Sequence, residues 1–119
     1  MRATEGYTEG QLVLALSYSG RTEIAAAAGR IADKVKNGLL KPEEVDEKTV
    51  AENMYLPDVP DPDLLIRTSG EMRVSNFMLW QISYAEIYVT KTLWPDFREK
   101  EFKEALEEYA RRQRRFGGL

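Results

Sequence analysis

The tightest constraint on the fold is a short apolar run, Leu64-Leu65-Ile66, held between Pro62 and the turn residues Ser69-Gly70. Three aliphatic residues in a row, too few for a helix and flanked by breakers, suit a strand buried on both faces of a parallel sheet. Arg67 follows at once, so a guanidinium leaves the carboxyl end of that strand. Open parallel sheets bind ligands outside those ends, which directs attention to residues 61–86.

A second aliphatic run, residues 12–16, reads as another buried strand that turns out through Ser17-Tyr18-Ser19-Gly20. Ile24, Ala25, Ala28, Ile31, Ala32 and Val35 then recur at helical spacing, with Gly20 as N-cap, Glu23 three residues on and Asn37-Gly38 as the stop. Pro42-Glu43-Glu44 opens one or two short helices that end near Tyr55, and the proline-rich residues 57–62 lead an extended chain into Leu64. Beyond the loop of residues 67–75, the pattern predicts a short helix over 76–83 capped by Ser75. It predicts a strand over 85–90 through Ile87, Tyr88 and Val89. Residues 93–97 break the chain again, and 98–115 form a closing helix with Phe102, Ala105, Leu106, Tyr109 and Ala110 on one stripe.

This order gives an α/β fold, a partial parallel sheet with flanking helices, in a single partial domain over residues 1–119. A sheet of about three strands leaves two open edges and little core, so association with another polypeptide is expected.

Composition removes several kinds of chemistry. With 43 % hydrophobic and 31 % charged residues the chain is of the globular class, and a net charge of −3 argues against a general nucleic-acid binder. The absence of cysteine and histidine removes disulfides, Cys/His zinc sites and a Ser-His triad. Any metal bound here has oxygen ligands. No apolar run reaches the length of a membrane span and no signal-peptide pattern opens the sequence, so a cytoplasmic location is expected.

Arg67 and Arg73, with Ser69, Gly70 and Ser75, make a composition that can wrap a phosphate: guanidinium forks and hydroxyls donate, and Gly70 lets backbone N–H groups approach. The same arginines can instead pair with Asp61, Asp63, Glu71 or Glu86 around a surface loop. Glu71 and Glu86 are either magnesium ligands or ion-pair partners that hold the clamp. Arg111, Arg112, Arg114 and Arg115 suit a helix C-terminus, and Arg115 stands beside Phe116-Gly117, where a freed backbone can turn it toward a ligand or a second subunit. Arg21, in the first turn after Ser17-Tyr18-Ser19-Gly20, is either an anion ligand or a partner for Glu23.

The run D-P-D-L-L-I-R-T-S-G-E-M-R-V-S-N-F-M-L-W-Q-I-S-Y-A-E-I-Y, followed by L-W-P-D-F, closely resembles the signature of the cis-prenyltransferases, the undecaprenyl diphosphate synthase family. L-A-L-S-Y-S-G-R-T-E-I is similar to an earlier family motif, A-x-N-Y-G-G-R-x-E-I, and R-R-F-G-G to the C-terminal R-x-G motif. The resemblance runs from about Thr8 to Gly118 and implies the C-terminal half of that fold. It implies condensation of isopentenyl diphosphate onto an allylic diphosphate with Mg2+, each step creating a Z double bond. By position, Arg67, Arg73 and Ser75 would hold the diphosphate of isopentenyl diphosphate, with Arg115 and Gly117 reaching the same site across a dimer. Glu86 would lie near the magnesium and the dimer interface, Glu71 would orient the arginines, and Asn76, Trp80, Tyr84 and Arg21 would support the site.

Ser17 and Ser19 replace the asparagine and first glycine of the earlier motif, while Tyr18, Gly20 and Arg21 match. The family's opening M-D-G-N-G-R-W run, whose aspartate binds magnesium and whose following residues cradle the allylic diphosphate, is not in this sequence. No catalytic residue is therefore assigned, and the chain alone is expected to be nearly or wholly inactive. Its expected partners are the two diphosphates and either a second copy or a separate N-terminal half, with peripheral membrane contact through the lipid product. Two readings stay open: part of an enzyme, from a truncated or split gene, or a non-catalytic regulatory subunit that completes another cis-prenyltransferase.

Overall fold

The structure is a computed structural model that describes residues 10–113. Its longest helix, α1 (Gly20–Lys36), begins where the apolar period predicts, but its cap is Ser19: the Ser19 Oγ accepts from the Thr22 N–H at 3.3 Å, and Gly20 is already helical. Glu23 in the first turn and Lys34 and Lys36 in the last complement the helix dipole. Gly20 is required by space. Its N–H donates to the Asn76 carbonyl at 2.7 Å, and a Cβ there would stand 2.8 Å from that oxygen and 2.9 Å from Leu79 Cγ.

The face that α1 buries is not the one its alanines suggest. Gly20, Glu23 and Ala27 are buried and Ile31 and Val35 half-buried, whereas Ile24, Ala25, Ala28 and Ala32 are exposed. A turn at Pro42–Glu44 leads into α2 (Glu47–Glu52), where Asp46 and Thr49 exchange side-chain-to-backbone hydrogen bonds at 2.9 and 3.2 Å. Arg30 of α1 reaches the end of α2: its Nε donates to the Asn53 carbonyl at 2.8 Å, and its guanidinium lies 5.6 Å from the centre of the Tyr55 ring.

Strand β1 (Leu64–Arg67) forms at the predicted apolar run and pairs in parallel with β2 (Glu86–Val89), in the register Leu64 to Glu86 through Arg67 to Val89. The pairing continues past the strands, since the Thr90 N–H donates to the Arg67 carbonyl at 2.9 Å. The last helix, α3 (Glu99–Gln113), packs on β2 with Ala105 fully buried, and follows a tight turn at Trp94–Asp96 in which Trp94 stacks on Phe97. No helix among the described residues is long and apolar enough to cross a membrane.

Two expected elements are not formed. Residues 12–16 form no strand and are exposed, and the sheet among the described residues has two strands. A strand exists only with a hydrogen-bonding neighbour, and composition cannot supply one. Residues 76–83 form successive turns instead of a helix, because Ser75, Asn76 and Met78 hold left-handed backbone angles (φ 51°, 62° and 45°) that a helix cannot propagate. Asn76 is occupied elsewhere: its Oδ1 accepts from the Arg21 N–H at 2.9 Å and its Nδ2 donates to Ser19 Oγ at 2.7 Å, so it closes the start of α1.

The interior is shallow. Ala27, Met54, Ile82 and Ala105 are buried, and no large side chain among the described residues is fully buried. At its centre sits a charge, Glu23, only 2 % exposed. The Tyr18 hydroxyl and the Gln81 Nε2, 3.0 Å away, donate to its carboxylate, as does the Tyr55 N–H at 3.0 Å. Burial alone would raise the Glu23 pKa; these donors and the charge of Arg30 outweigh it and hold the carboxyl below its ordinary value. The Tyr18 phenol is pushed well up, first by burial and then by the hydrogen bond to Glu23.

Because the folded-state pKa of Glu23 is depressed, its contribution is fully present above the ordinary value of 4.5 and is lost as pH falls through the folded-state value. Urea denaturation from pH 7 downward is expected to show Glu23→Gln less stable than the parent at neutral pH, by about 1–3 kcal/mol, with the gap closing in acid. A gap that stays constant with pH would refute this assignment. Gly20→Ala is expected to cost about 1–3 kcal/mol in the same assay through overpacking against Asn76 and Leu79.

Candidate functional site

The site grows from the end of β1. Arg67 is half-buried as it leaves the sheet, and its Nη2 lies 3.4 Å from Ser75 Oγ across the intervening loop. Ser69 and Gly70, both with positive φ, turn the chain immediately after the strand. Their N–H groups donate to the Thr92 and Thr90 carbonyls at 2.9 and 2.7 Å, so the turn is tied to the chain beyond β2 and does not present those two amides to a ligand. This corrects the sequence expectation that Gly70 brings backbone donors to an anion.

Arg73 faces solvent and pairs with Glu71, Nε to Oε2 at 3.2 Å. Both side chains of that pair are well exposed, which leaves it weak. No carboxylate lies within 4.0 Å of Arg67 among the described residues, so the ion pairs with Asp61, Asp63 and Glu86 that composition allowed for it are not formed. The loop thus presents one guanidinium bonded to a neutral hydroxyl, a second bonded to an exposed acid, and Ser75 held in a left-handed conformation beside the first.

Glu86 stands apart from this cluster. Its Oε2 lies 3.9 Å from Arg112 Nη1, and Arg112 also donates to the Ile87 carbonyl and, through Nε, to Glu108 at 3.0 Å. Hydrogen bonds from Arg112 and then Arg111 hold the Glu108 carboxyl below its ordinary value. These contacts fasten the last turns of α3 to the start of β2. No group of three or more Asp or Glu side chains among the described residues could hold a metal ion.

The supporting residues separate into two kinds. Asn76 bridges the loop after β1 to the start of α1, whereas Arg21 contributes its backbone N–H to that bridge and leaves its side chain exposed. Among the described residues Arg21 does not pair with Glu23. Trp80 is half-buried and Tyr84 exposed. Arg115 and Gly117 lie outside the described residues. Sequence reasoning missed Glu23 and Gln81 as the anchor beneath the site. The available signal was that Glu23 shares a helical face with Ala27 and Arg30.

Beside this anchor opens an apolar cavity of about 390 Å3, lined by Val13, Leu14, Tyr55, Leu56, Phe77 and Met78 among others.

Residues 1–117 match the sequence model of the family described as "Putative undecaprenyl diphosphate synthase". An isoprenyl transferase of Thermotoga maritima is 52 % identical over 116 residues, which are 98 % of this chain and 49 % of that protein. A crystal structure of lavandulyl diphosphate synthase from Lavandula x intermedia, in complex with dimethylallyl diphosphate, superposes with a TM-score of 0.78 at 45 % identity. That match covers 81 % of this chain and 42 % of the other. A crystal structure of a probable undecaprenyl diphosphate synthase from Campylobacter jejuni superposes with a TM-score of 0.70 at 42 % identity, covering 87 % of this chain and 46 % of the other. The chain spans about half the length of the curated relatives it matches. Its two parallel strands and flanking helices are a part of the fold these structures share, and by sequence and by fold the chain belongs to the undecaprenyl diphosphate synthase family of prenyltransferases.

Proposed function

We propose that the chain supplies the isopentenyl diphosphate clamp of a Z-type polyprenyl diphosphate synthase, with Arg67, Arg73 and Ser75 as the diphosphate ligands. The observation that carries this reading is the half-buried Arg67 at the end of β1, bonded to Ser75 Oγ and to no carboxylate among the described residues. Chain extension couples two diphosphates of opposite fate. The allylic one leaves to generate a cation; the one on isopentenyl diphosphate is retained while its double bond attacks. A retaining clamp wants fixed positive charge and hydroxyl donors with no acid positioned to release the phosphate, and the Arg67–Ser75 pair fits that description. Glu71, on Arg73, holds the second guanidinium near the loop until a diphosphate replaces it.

The allylic diphosphate site, with its aspartate, is assigned to a part of the fold outside this sequence, and residues 1–119 form one partial domain. The 119-residue chain on its own is therefore proposed to bind isopentenyl diphosphate without turning it over. Arg115 and Gly117 are proposed to reach the clamp of a second subunit, in a dimer that works in the cytoplasm and touches the membrane through its lipid product. Magnesium does not fit the described residues by themselves. Glu86 is a single carboxylate already facing Arg112, and a magnesium ion there needs further oxygen ligands from outside these residues.

Calorimetric titration of the purified chain tests the clamp. Isopentenyl diphosphate is expected to bind in preference to inorganic pyrophosphate, and Arg67→Ala to weaken that binding about 10- to 100-fold, the worth of one or two charge-assisted hydrogen bonds. Arg73→Ala is expected to weaken it less than Arg67→Ala. Equal binding by Arg67→Ala and the parent would sink the reading, and equal affinity for pyrophosphate would reduce it to a generic phosphate site.

A further inference from the structure

Lys91 is a cation that stands beside the proposed clamp and has no part in it so far. It lies in the bend that follows β2, between two residues held by the loop after β1: the Gly70 N–H donates to the Thr90 carbonyl at 2.7 Å and the Ser69 N–H to the Thr92 carbonyl at 2.9 Å. Thr90 is also bonded to the end of β1, its N–H donating to the Arg67 carbonyl at 2.9 Å, and its Oγ1 accepts from the Thr92 N–H at 3.2 Å. The backbone on either side of Lys91 is thereby fixed to the strand end that carries Arg67. The Lys91 stem rests against the turn where a side chain is missing: a Cβ added to Gly70 would meet Lys91 Cγ at 3.8 Å and Lys91 Cα at 4.0 Å. Lys91 is exposed, and among the described residues no carboxylate lies within 4.0 Å of its ammonium, whereas Lys48 and Lys103 each pair with an acid one turn away on their own helix.

We infer that Lys91 is a further ligand of the diphosphate, and that it sets the preference of this loop for a diphosphate over a single phosphate. The inference rests on the reading of Arg67 and Ser75 as the clamp. Arg67 and Arg73 bring two positive charges to the loop and Glu71 offsets one of them, which leaves the loop short of the charge that a diphosphate carries. The planar fork of Arg67, with the Ser75 hydroxyl beside it, matches the oxygens of one phosphate. A second phosphate needs a donor of its own. An ammonium is a compact point charge on a flexible stem, so Lys91, rooted in a fixed backbone and engaged by no acid among the described residues, can follow that phosphate to where the arginine fork does not reach. Its charge is spent where the ligand has a second phosphate and is idle where it has one.

Calorimetric titration of the 119-residue chain with isopentenyl diphosphate and with isopentenyl monophosphate is the test. Lys91→Ala is expected to weaken diphosphate binding about 3- to 10-fold, the worth of one exposed charge-assisted contact, and Lys91→Glu to weaken it further. Lys91→Arg is expected to bind the diphosphate as the parent does, and Lys91→Ala to bind the monophosphate as the parent does. Diphosphate binding by Lys91→Ala equal to that of the parent, or an equal loss for both esters, overturns the inference. Urea denaturation of Lys91→Ala is expected to superpose on that of the parent, and a shifted transition assigns Lys91 to the fold of the loop and overturns the inference as well. Arg67→Ala, titrated alongside, tells the two readings apart. A loss confined to Arg67→Ala leaves the clamp standing without Lys91, a loss confined to Lys91→Ala removes Arg67 from the clamp and keeps Lys91, and a parent chain that binds neither ester overturns both.

Discussion

A buried carboxylate without partners would be one of the most unfavourable groups a small core can contain, and here one holds the core together. Glu23 takes hydrogen bonds from Tyr18 ahead of α1, from Tyr55 after α2 and from Gln81 in the turns before β2. Those three segments share few apolar contacts deep enough to fix them, since the buried hydrophobic residues are Ala27, Met54, Ile82 and Ala105. The directional bonds to Glu23 therefore do what packing does in a larger domain. They also reach the site: Gln81 fixes the segment whose earlier residue Asn76 grips the start of α1, and Asn76 adjoins Ser75, the hydroxyl beside Arg67. A disturbance at Glu23 has a short covalent and hydrogen-bonded route to the clamp.

The proposed clamp follows from where β1 ends. A parallel strand delivers its last side chain to the carboxyl edge of the sheet, and the turn at Ser69-Gly70 is tied to Thr90 and Thr92, which stiffens the edge. Arg67 is thereby presented from a fixed backbone, while Arg73 lies on a looser loop with an exposed acid for company. Exposed pairs of this kind are worth about 0–1 kcal/mol, so Arg73 gives up Glu71 at little cost. One arginine is held and the other loosely tethered, the difference that the proposed clamp uses.

What could be read from the sequence and what could not divide along the range of the interactions involved. β1, β2, α1 and α3 rest on local pattern, and each formed within a few residues of its expected bounds. Arg67 and Ser75 were legible as neighbours because a strand end and a turn bring them together across eight positions, whereas Arg73 bonds to Glu71. The start of α1 was misplaced by one residue, since Ser19 caps it and Gly20 is there for clearance. The helix expected over 76–83 failed for a long-range reason: Asn76 bonds to residues 19–21, and no local propensity announces that. The same holds for Glu23, whose partners lie 5, 32 and 58 positions away in sequence.

Residues 12–16 and the exposed face of α1 belong to the same division but point outward. Each aliphatic side chain taken from water to a dry interior gains roughly 1.5–3 kcal/mol, so Leu12, Val13, Leu14 and Leu16 hold several kcal/mol of unrealised burial. Within the described residues nothing covers them, because β1 and β2 make a sheet too narrow to give a central strand neighbours on both sides. An aliphatic run of this kind in water is a liability in a monomer and a driving force in an assembly. The helices and the β1–β2 pair form from segments of this chain that reach one another. The run at 12–16 stays open because no strand among the described residues pairs with it.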